Sequence, residues 1–207
     1  MSKAKRSKAR GRAVDKWTLK TLYTIHSPED LDFGINTRGM AIGETVSSDP
    51  DLIIGRILEV PLSDITQKFS LIYVKLLFKL VSVSGTVAKT KFVGHSYAND
   101  FVRSLVKRRR TRIDWIGNVK TNDNIDIRIT ATALTLRRTK SSRKHAIRLE
   151  IERLSHKMAK EMNFEEFVAH MLRGDMNAEL YEACRKIYPL AQVEIQKSKI
   201  LTKWIEE

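Results

Sequence analysis

With 207 residues, 42% of them hydrophobic, the chain can bury a sizeable core, and 38 Lys and Arg against 24 Asp and Glu give a formal charge of +14. That balance points to a polyanionic partner. No run approaches the roughly 18 to 20 apolar residues of a membrane-spanning helix: the best stretch, Leu71 to Val83, is broken by Lys75 and Lys79, and a single cysteine, Cys184, excludes an internal disulfide.

Residues 1–15 are small and basic and lack apolar periodicity, which predicts a disordered tail that only a partner would fix. The tail has the positive charges of a secretory signal but not the apolar run that must follow them, so the expected location is a reducing cytoplasm. From Trp17 to about Thr135 the pattern is mostly that of strands: Leu19 to Ile25, Met40 to Val46, Ile53 to Val60, Ser70 to Val83, Thr86 to Val93, Arg112 to Val119 and Ile125 to Leu136. Within the fourth, Ile72, Val74, Leu76, Phe78 and Leu80 share one face and Tyr73, Lys75, Leu77 and Lys79 the other, the alternation of a half-buried strand. Turn residues at Ser82 to Gly85 and Lys120 to Asn124 predict two hairpins. Beyond Ile125 the apolar phase moves from odd positions (Ile125, Ile127, Ile129) to even ones (Leu134, Leu136), as a bulge requires. Curved, bulged antiparallel strands predict a β-barrel over residues 16–139.

One helix is inserted in that barrel: Asn99 or Asp100 can cap a short amphipathic segment with Phe101, Val102, Leu105 and Val106 on one side and Arg103, Lys107 and Arg110 on the other. After Lys140 the period changes. Ile147, Ile151, Leu154, Met158 and Met162 recur at helical steps, Asn163 and Gly174 punctuate two further helices, and Val193 to Ile200 reads as a returning edge strand. The expected class is α+β: an antiparallel barrel with packed helices and a helical C-terminal region over residues 140–207.

The positive charge is clustered. Lys3, Lys5, Arg6, Lys8, Arg10, Arg12 and Lys16 are offset only by Asp15, while Arg103, Lys107, Arg108, Arg109, Arg110 and Arg112, and then Arg137, Arg138, Lys140, Arg143, Lys144 and Arg148, form two stretches without any acid. Each of the three clusters carries a net +6, so together they exceed the charge of the whole chain and the remaining residues are net acidic. Arginine forks pair with phosphate oxygens, and binding to such clusters releases condensed counterions, so these residues are the candidate contacts to a polyanion. Nucleic acid and an anionic membrane surface both qualify, with nucleic acid favoured and RNA the expected ligand. Ser141 and Ser142 add hydroxyl donors and a predicted N-cap at a helix start, itself attractive to anions. The alternative for the first stretch, a solvated basic surface, leaves six uncompensated cations repelling one another; for the second it is a flexible linker, which is compatible with a phosphate contact. Stacking of unpaired bases has one weak candidate, Tyr73 beside Lys75 and Lys79, whereas Trp17, Phe78, Trp115 and Tyr188 read as core, so shape and phosphate recognition is favoured.

The enzymatic inventory is poor. His26, His95, His145, His156 and His170 show no metal-ligand spacing with one another or with Cys184, no Gly-rich phosphate loop precedes a helix, and no Gly-x-Ser-x-Gly occurs. Glu165 and Glu166 read as a solvated helix face, and Cys184 as a small buried apolar residue. No catalytic residue, metal site or cofactor is expected.

Several stretches together resemble a known family, the archaeal and eukaryotic small-subunit ribosomal proteins of the "S three A" type (S3Ae). They are the basic tail leading to Lys16-Trp17, then Gly55-Arg56-Ile57-Leu58-Glu59-Val60-Pro61-Leu62-Ser63-Asp64-Ile65, then Lys68-Phe69-Ser70-Leu71-Ile72. Ser104-Leu105-Val106-Lys107 leads on to Val119-Lys120-Thr121-Asn122-Asp123, and the last is Glu182-Ala183-Cys184-Arg185-Lys186-Ile187-Tyr188-Pro189-Leu190. In order and spacing they span the chain. The resemblance implies a barrel with packed helices on the platform side of the small subunit, near the messenger exit and the 3′ end of the subunit's RNA. It implies as partners small-subunit ribosomal RNA, neighbouring ribosomal proteins and messenger RNA near the exit, with no enzymatic activity, no cofactor, no membrane and no small-molecule substrate. Two departures stand out: Asp123-Asn124 replaces the usual Asp-Gly, a change Asn tolerates at positive φ, and Pro61 enters a run where it suits a strand end. The stop soon after Trp204 leans the expectation toward an archaeal source. Rival readings are a non-ribosomal RNA- or DNA-binding chaperone-like barrel, and an RNA-processing enzyme that would need a polar cluster in a cleft.

Overall fold

The computed structural model describes residues 17–29 and 38–201. The basic tail, with Lys3, Lys5, Arg6, Lys8, Arg10, Arg12 and Lys16, lies outside them. Strands β1 (Thr21–His26) and β2 (Ala41–Ser47) pair antiparallel, and β3 (Ile57–Pro61) leads through the short helix α1 (Leu62–Thr66) into the hairpin of β4 (Val74–Ser84) and β5 (Val87–Tyr97). Helix α2 (Asn99–Leu105) precedes a second hairpin, β6 (Arg112–Lys120) and β7 (Asp126–Thr135). Helices α3 (Ser141–Glu161), α4 (Phe164–Arg173) and α5 (Asp175–Arg185) follow, and the chain returns as β8 (Leu190–Ile200). Each of the seven expected strands and four expected helices has a counterpart, but β3 begins only at Ile57 instead of Ile53, β4 at Val74 instead of Ser70, and α2 ends at Leu105, leaving Lys107 and Arg110 outside it; α1 was not foreseen, being a single turn without a period.

The eight strands make one sheet in the order β2-β1-β5-β8-β7-β6, with β4 on the other edge of β5 and β3 beyond it. It is not the closed barrel that the curvature suggested. The reason lies in β5, which meets β1 along residues 87–89 and β8 along 94–96, so the sheet branches there instead of rolling shut. Among the described residues β2, β3 and β6 each pair on one side only. The curvature itself is present: registers shift at Leu77/Phe78, Leu80/Ser82, Thr130/Ala131 and Leu134/Thr135, the last two within the span where the apolar phase of β7 changes.

Strand β8 is a second correction. It is no edge strand but sits between β5 and β7. At the branch a Cβ on Gly94 would stand 2.2 Å from the Ser198 carbonyl oxygen, so only glycine allows the two backbones this close. Beside it His95 is fully buried: its Nε2 lies 3.0 Å from the Ile195 carbonyl and its Nδ1 2.7 Å from Ser198 Oγ. A carbonyl can only accept, so Nε2 carries the proton and Nδ1 accepts from the serine hydroxyl, while that hydroxyl oxygen accepts the His95 N–H at 3.1 Å. The ring is held neutral, its pKa lowered by burial to about 4.

One apolar cluster joins the two parts of the chain. Val60, Leu76, Phe78, Phe92, Ile113 and Ile129 from the strands pack with Ile147, Ile151, Phe167, Val168 and Leu180 from α3, α4 and α5. Each such side chain contributes roughly 1.5 to 3 kcal/mol by leaving water, so the helices are fixed to the sheet by many small terms. The hairpin tip adds a polar lock: the Asp123 carboxylate accepts the Phe164 N–H at 2.7 Å, satisfying a first-turn amide of α4 that Asn163 leaves uncapped. In the same tip Asn124 adopts φ 60, the left-handed conformation expected of Asn in place of Gly. Trp17, expected in the core, is 67% exposed with the Lys20 ammonium 4.0 Å above its ring.

Candidate nucleic-acid interface

The two acid-free arginine stretches are separate in sequence and adjacent in space. In the β6–β7 hairpin Arg112 faces Leu134, so the segments entering β6 and leaving β7 lie side by side. Threonines tie them together. Thr111 donates its N–H to Thr135 Oγ1 at 2.9 Å and accepts the Thr135 N–H on its carbonyl at 3.0 Å, while Thr139 donates its N–H to Thr111 Oγ1 at 3.2 Å. The Thr135 hydroxyl donates to the Arg137 carbonyl at 2.6 Å. Residues 135–139 therefore form a loop with both feet on Thr111 and with Arg137 and Arg138 at its crest. On the other side of Thr111, Arg110 donates to the Lys107 carbonyl to close a turn in which Arg109 stands at φ 63.

The cations fall into two groups. Arg112 gives Nε to Asp114 Oδ1 at 2.8 Å and Nη2 to Gln196 at 3.1 Å, Arg148 gives Nε to the Asp114 carbonyl at 3.0 Å, and Arg143 lies 5.2 Å from the Tyr188 ring centroid. These three are held by the protein. Arg103, Lys107, Arg108, Arg109, Arg137, Arg138 and Lys140 are exposed, Arg110 and Lys144 half-buried, and none of these nine has a side-chain partner among the described residues. Tyr188 anchors the crest from beneath, its hydroxyl donating to the Arg138 carbonyl at 3.2 Å while the Pro189 carbonyl accepts the Leu136 N–H. The helix start follows the same surface, but Ser141 and Ser142 do not cap it: Lys140 occupies the cap position and α3 begins without a side-chain cap.

Three contributors were not singled out in the sequence: the threonines 111, 135 and 139, Asp114 and Tyr188 in its anchoring role. The hairpin carried the signal for the first. Strands that turn about Asp123 bring positions equidistant from it into register, and 111 and 135 are such a pair. The base-stacking candidate is occupied by the protein itself: Tyr73 is stacked on Phe101 with ring centroids 3.7 Å apart, and Lys75 pairs with Glu59 at 3.3 Å. Nearby, the Tyr97 hydroxyl and the Asn177 amide both donate to Glu194, and burial beside that carboxylate pushes the phenol's pKa well up, so it stays protonated as a structural donor. Cys184 is buried, its thiol raised to about 11 chiefly by desolvation.

Among the described residues no three His, Cys, Asp or Glu side chains gather as metal ligands, and no helix is long and apolar enough to cross a membrane. Against known families, a model described as the Ribosomal S3Ae family matches residues 8–203. The protein called small ribosomal subunit protein eS1 from Methanobrevibacter smithii is 41% identical over 196 residues, which cover 95% of this chain and 98% of that one. Its namesake from Methanococcus maripaludis is 39% identical over 199 residues, covering 96% and 86%, and that from Methanococcus vannielii 38% over 199, covering 96% and 88%. All three organisms are archaea.

Proposed function

Because the chain belongs to the ribosomal S3Ae family, we propose that it works as a structural constituent of the small ribosomal subunit and grips small-subunit ribosomal RNA through the surface built on Thr111. Its role is binding, not turnover. The observation that carries this reading is the convergence of two acid-free arginine stretches on one residue, which leaves the loop cations without protein counter-charges. Phosphate oxygens are the natural partners for such forks. In this reading Arg103, Lys107 to Arg110, Arg137, Arg138, Lys140 and Lys144 contact the backbone, Arg112, Arg143 and Arg148 stiffen the surface, and the basic tail threads into folded RNA. The exposed acids Glu165, Glu166, Glu179 and Glu182 on α4 and α5 face neighbouring ribosomal proteins. A place on the platform side near the messenger exit follows the family resemblance. Sedimentation of a cell lysate in low and high salt tests the assignment: the chain is expected in small-subunit fractions, and its recovery wholly outside them would reject it.

A further inference from the structure

The surface at Thr111 carries more unpartnered cations than one row of phosphates can reach. Lys107, Arg108, Arg109, Arg110, Arg137, Arg138 and Lys140 have no side-chain partner among the described residues. Their backbones are confined. Residues 107–110 form one turn, whose ends lie within about 7 Å of each other, and residues 135–139 return both feet to Thr111, with Lys140 immediately after. Even a fully extended run from 137 to 140 spans only about 10 Å. The seven charges therefore spring from a spot about 15 Å across. A duplex strand offers one phosphate per about 3.4 Å of helix axis, so a single row crossing that spot supplies about four. The other three cations need a second row.

We infer that this surface straddles two phosphate rows at once, and that its ligand is double-helical RNA held across a narrow groove. This rests on the reading of the surface as an RNA interface. In the A-form helix the major groove is deep and narrow, which brings the two backbones together while closing the base edges to side chains. Such a site asks for clustered, backbone-directed cations and no stacking platform. That is the arrangement here: the turn at Lys107 to Arg110 and the crest at Arg137 to Lys140 rise from the two sides of Thr111, one for each row, and the aromatic rings Tyr73 and Phe101 are stacked on each other.

The test uses the full chain and a short RNA duplex, intact or with one strand's phosphates replaced by neutral methylphosphonates. A surface that uses one row turns to the intact strand and loses nothing. A surface that uses two loses about three contacts, so the log-log salt dependence of binding is expected to flatten by about 3 when either strand is neutralised. In a variant carrying Arg137→Ala, Arg138→Ala and Lys140→Ala the four cations left fit one row, and the flattening should vanish. No flattening with the wild-type chain would overturn the inference, as would equal flattening in the variant, which would place the second row elsewhere. Neither result touches the wider reading, which fails separately if the chain binds neither the intact duplex nor small-subunit RNA.

Discussion

Replacing Arg108, Arg109 and Arg110 together by alanine isolates the electrostatic contribution of the turn beside Thr111. Two of the side chains are exposed, the third is half-buried, and none has a partner among the described residues, so the fold should lose no more than about 0.5 kcal/mol per site. If each guanidinium meets one phosphate of a duplex, the slope of log affinity against log salt falls by about 2.7. Between 50 and 200 mM salt the native chain then loses about 40-fold more affinity than the variant. Fluorescence anisotropy with a labelled fragment of small-subunit RNA, titrated across that range, reads the difference directly. Arg112→Ala is the control: its guanidinium is already tied to Asp114 and Gln196, so the slope should change by less than the roughly 0.9 of one phosphate contact. Parallel lines for native chain and triple variant would show that the turn touches no backbone, and a larger effect from Arg112 than from the triple would invert the division between holding and binding cations.

Other outcomes follow from the fold. Gly94→Ala puts a Cβ 2.2 Å from the Ser198 carbonyl oxygen, so urea denaturation should show a loss of about 3 kcal/mol or more; a loss under about 1 would mean β5 and β8 can part. Asp123→Ala removes the carboxylate that accepts the Phe164 N–H and should cost about 1 kcal/mol in the same assay, with unchanged stability excluding a capping role. His95 is neutral when folded, with its pKa lowered to about 4 against an ordinary value of 6.5. The unfolded chain therefore takes up the proton first: the stabilisation is complete above about pH 6.5 and is lost as the pH falls toward 4, amounting to about 2 to 3 kcal/mol by pH 4.5. A His95→Gln variant should lack this extra acid sensitivity, and an identical pH dependence in both proteins would contradict the buried neutral ring. Cys184, with its thiol raised to about 11, should resist thiol reagents at neutral pH until urea unfolds the chain; rapid labelling of the native protein would show the site to be open.

Much of this was legible because local chemistry decided it. The alternation of Val74, Leu76, Phe78 and Leu80 fixed the buried face of β4, and the helical recurrence of Ile147, Ile151 and Met158 did the same for α3. Asn124 at positive φ and the bulges of β7 were likewise local matters. What composition and period do not carry is pairing between distant strands. Nothing in the residues 193–200 distinguishes an edge from a central strand, because their neighbours, β5 and β7, are chosen by the branch at Gly94 and by the helices that carry the chain back. Trp17 was misplaced for a related reason: a large ring suggests burial, but only the tertiary contacts decide it. The candidate interface sits between these cases. Its cations were visible as charge, whereas their division into held and unpartnered groups depends on Asp114, Gln196 and Tyr188, which are distant from them in sequence or ordinary in type.

The central position of β8 has a consequence for how the molecule is made. Its residues leave the synthesising ribosome after those of every other strand described, yet they bridge β5 to β7 through partners such as His95 and Ser198, 103 positions apart. Until they emerge, the two hairpins have no ladder between them, and both flanks remain open to pairing with other chains. Completion of the sheet is therefore a late, whole-chain event of the slow kind that long-range pairing imposes. A nascent chain arrested before residue 190 should accordingly be protease-sensitive and bind chaperones, and release of the last strand should convert it to the resistant form in one step.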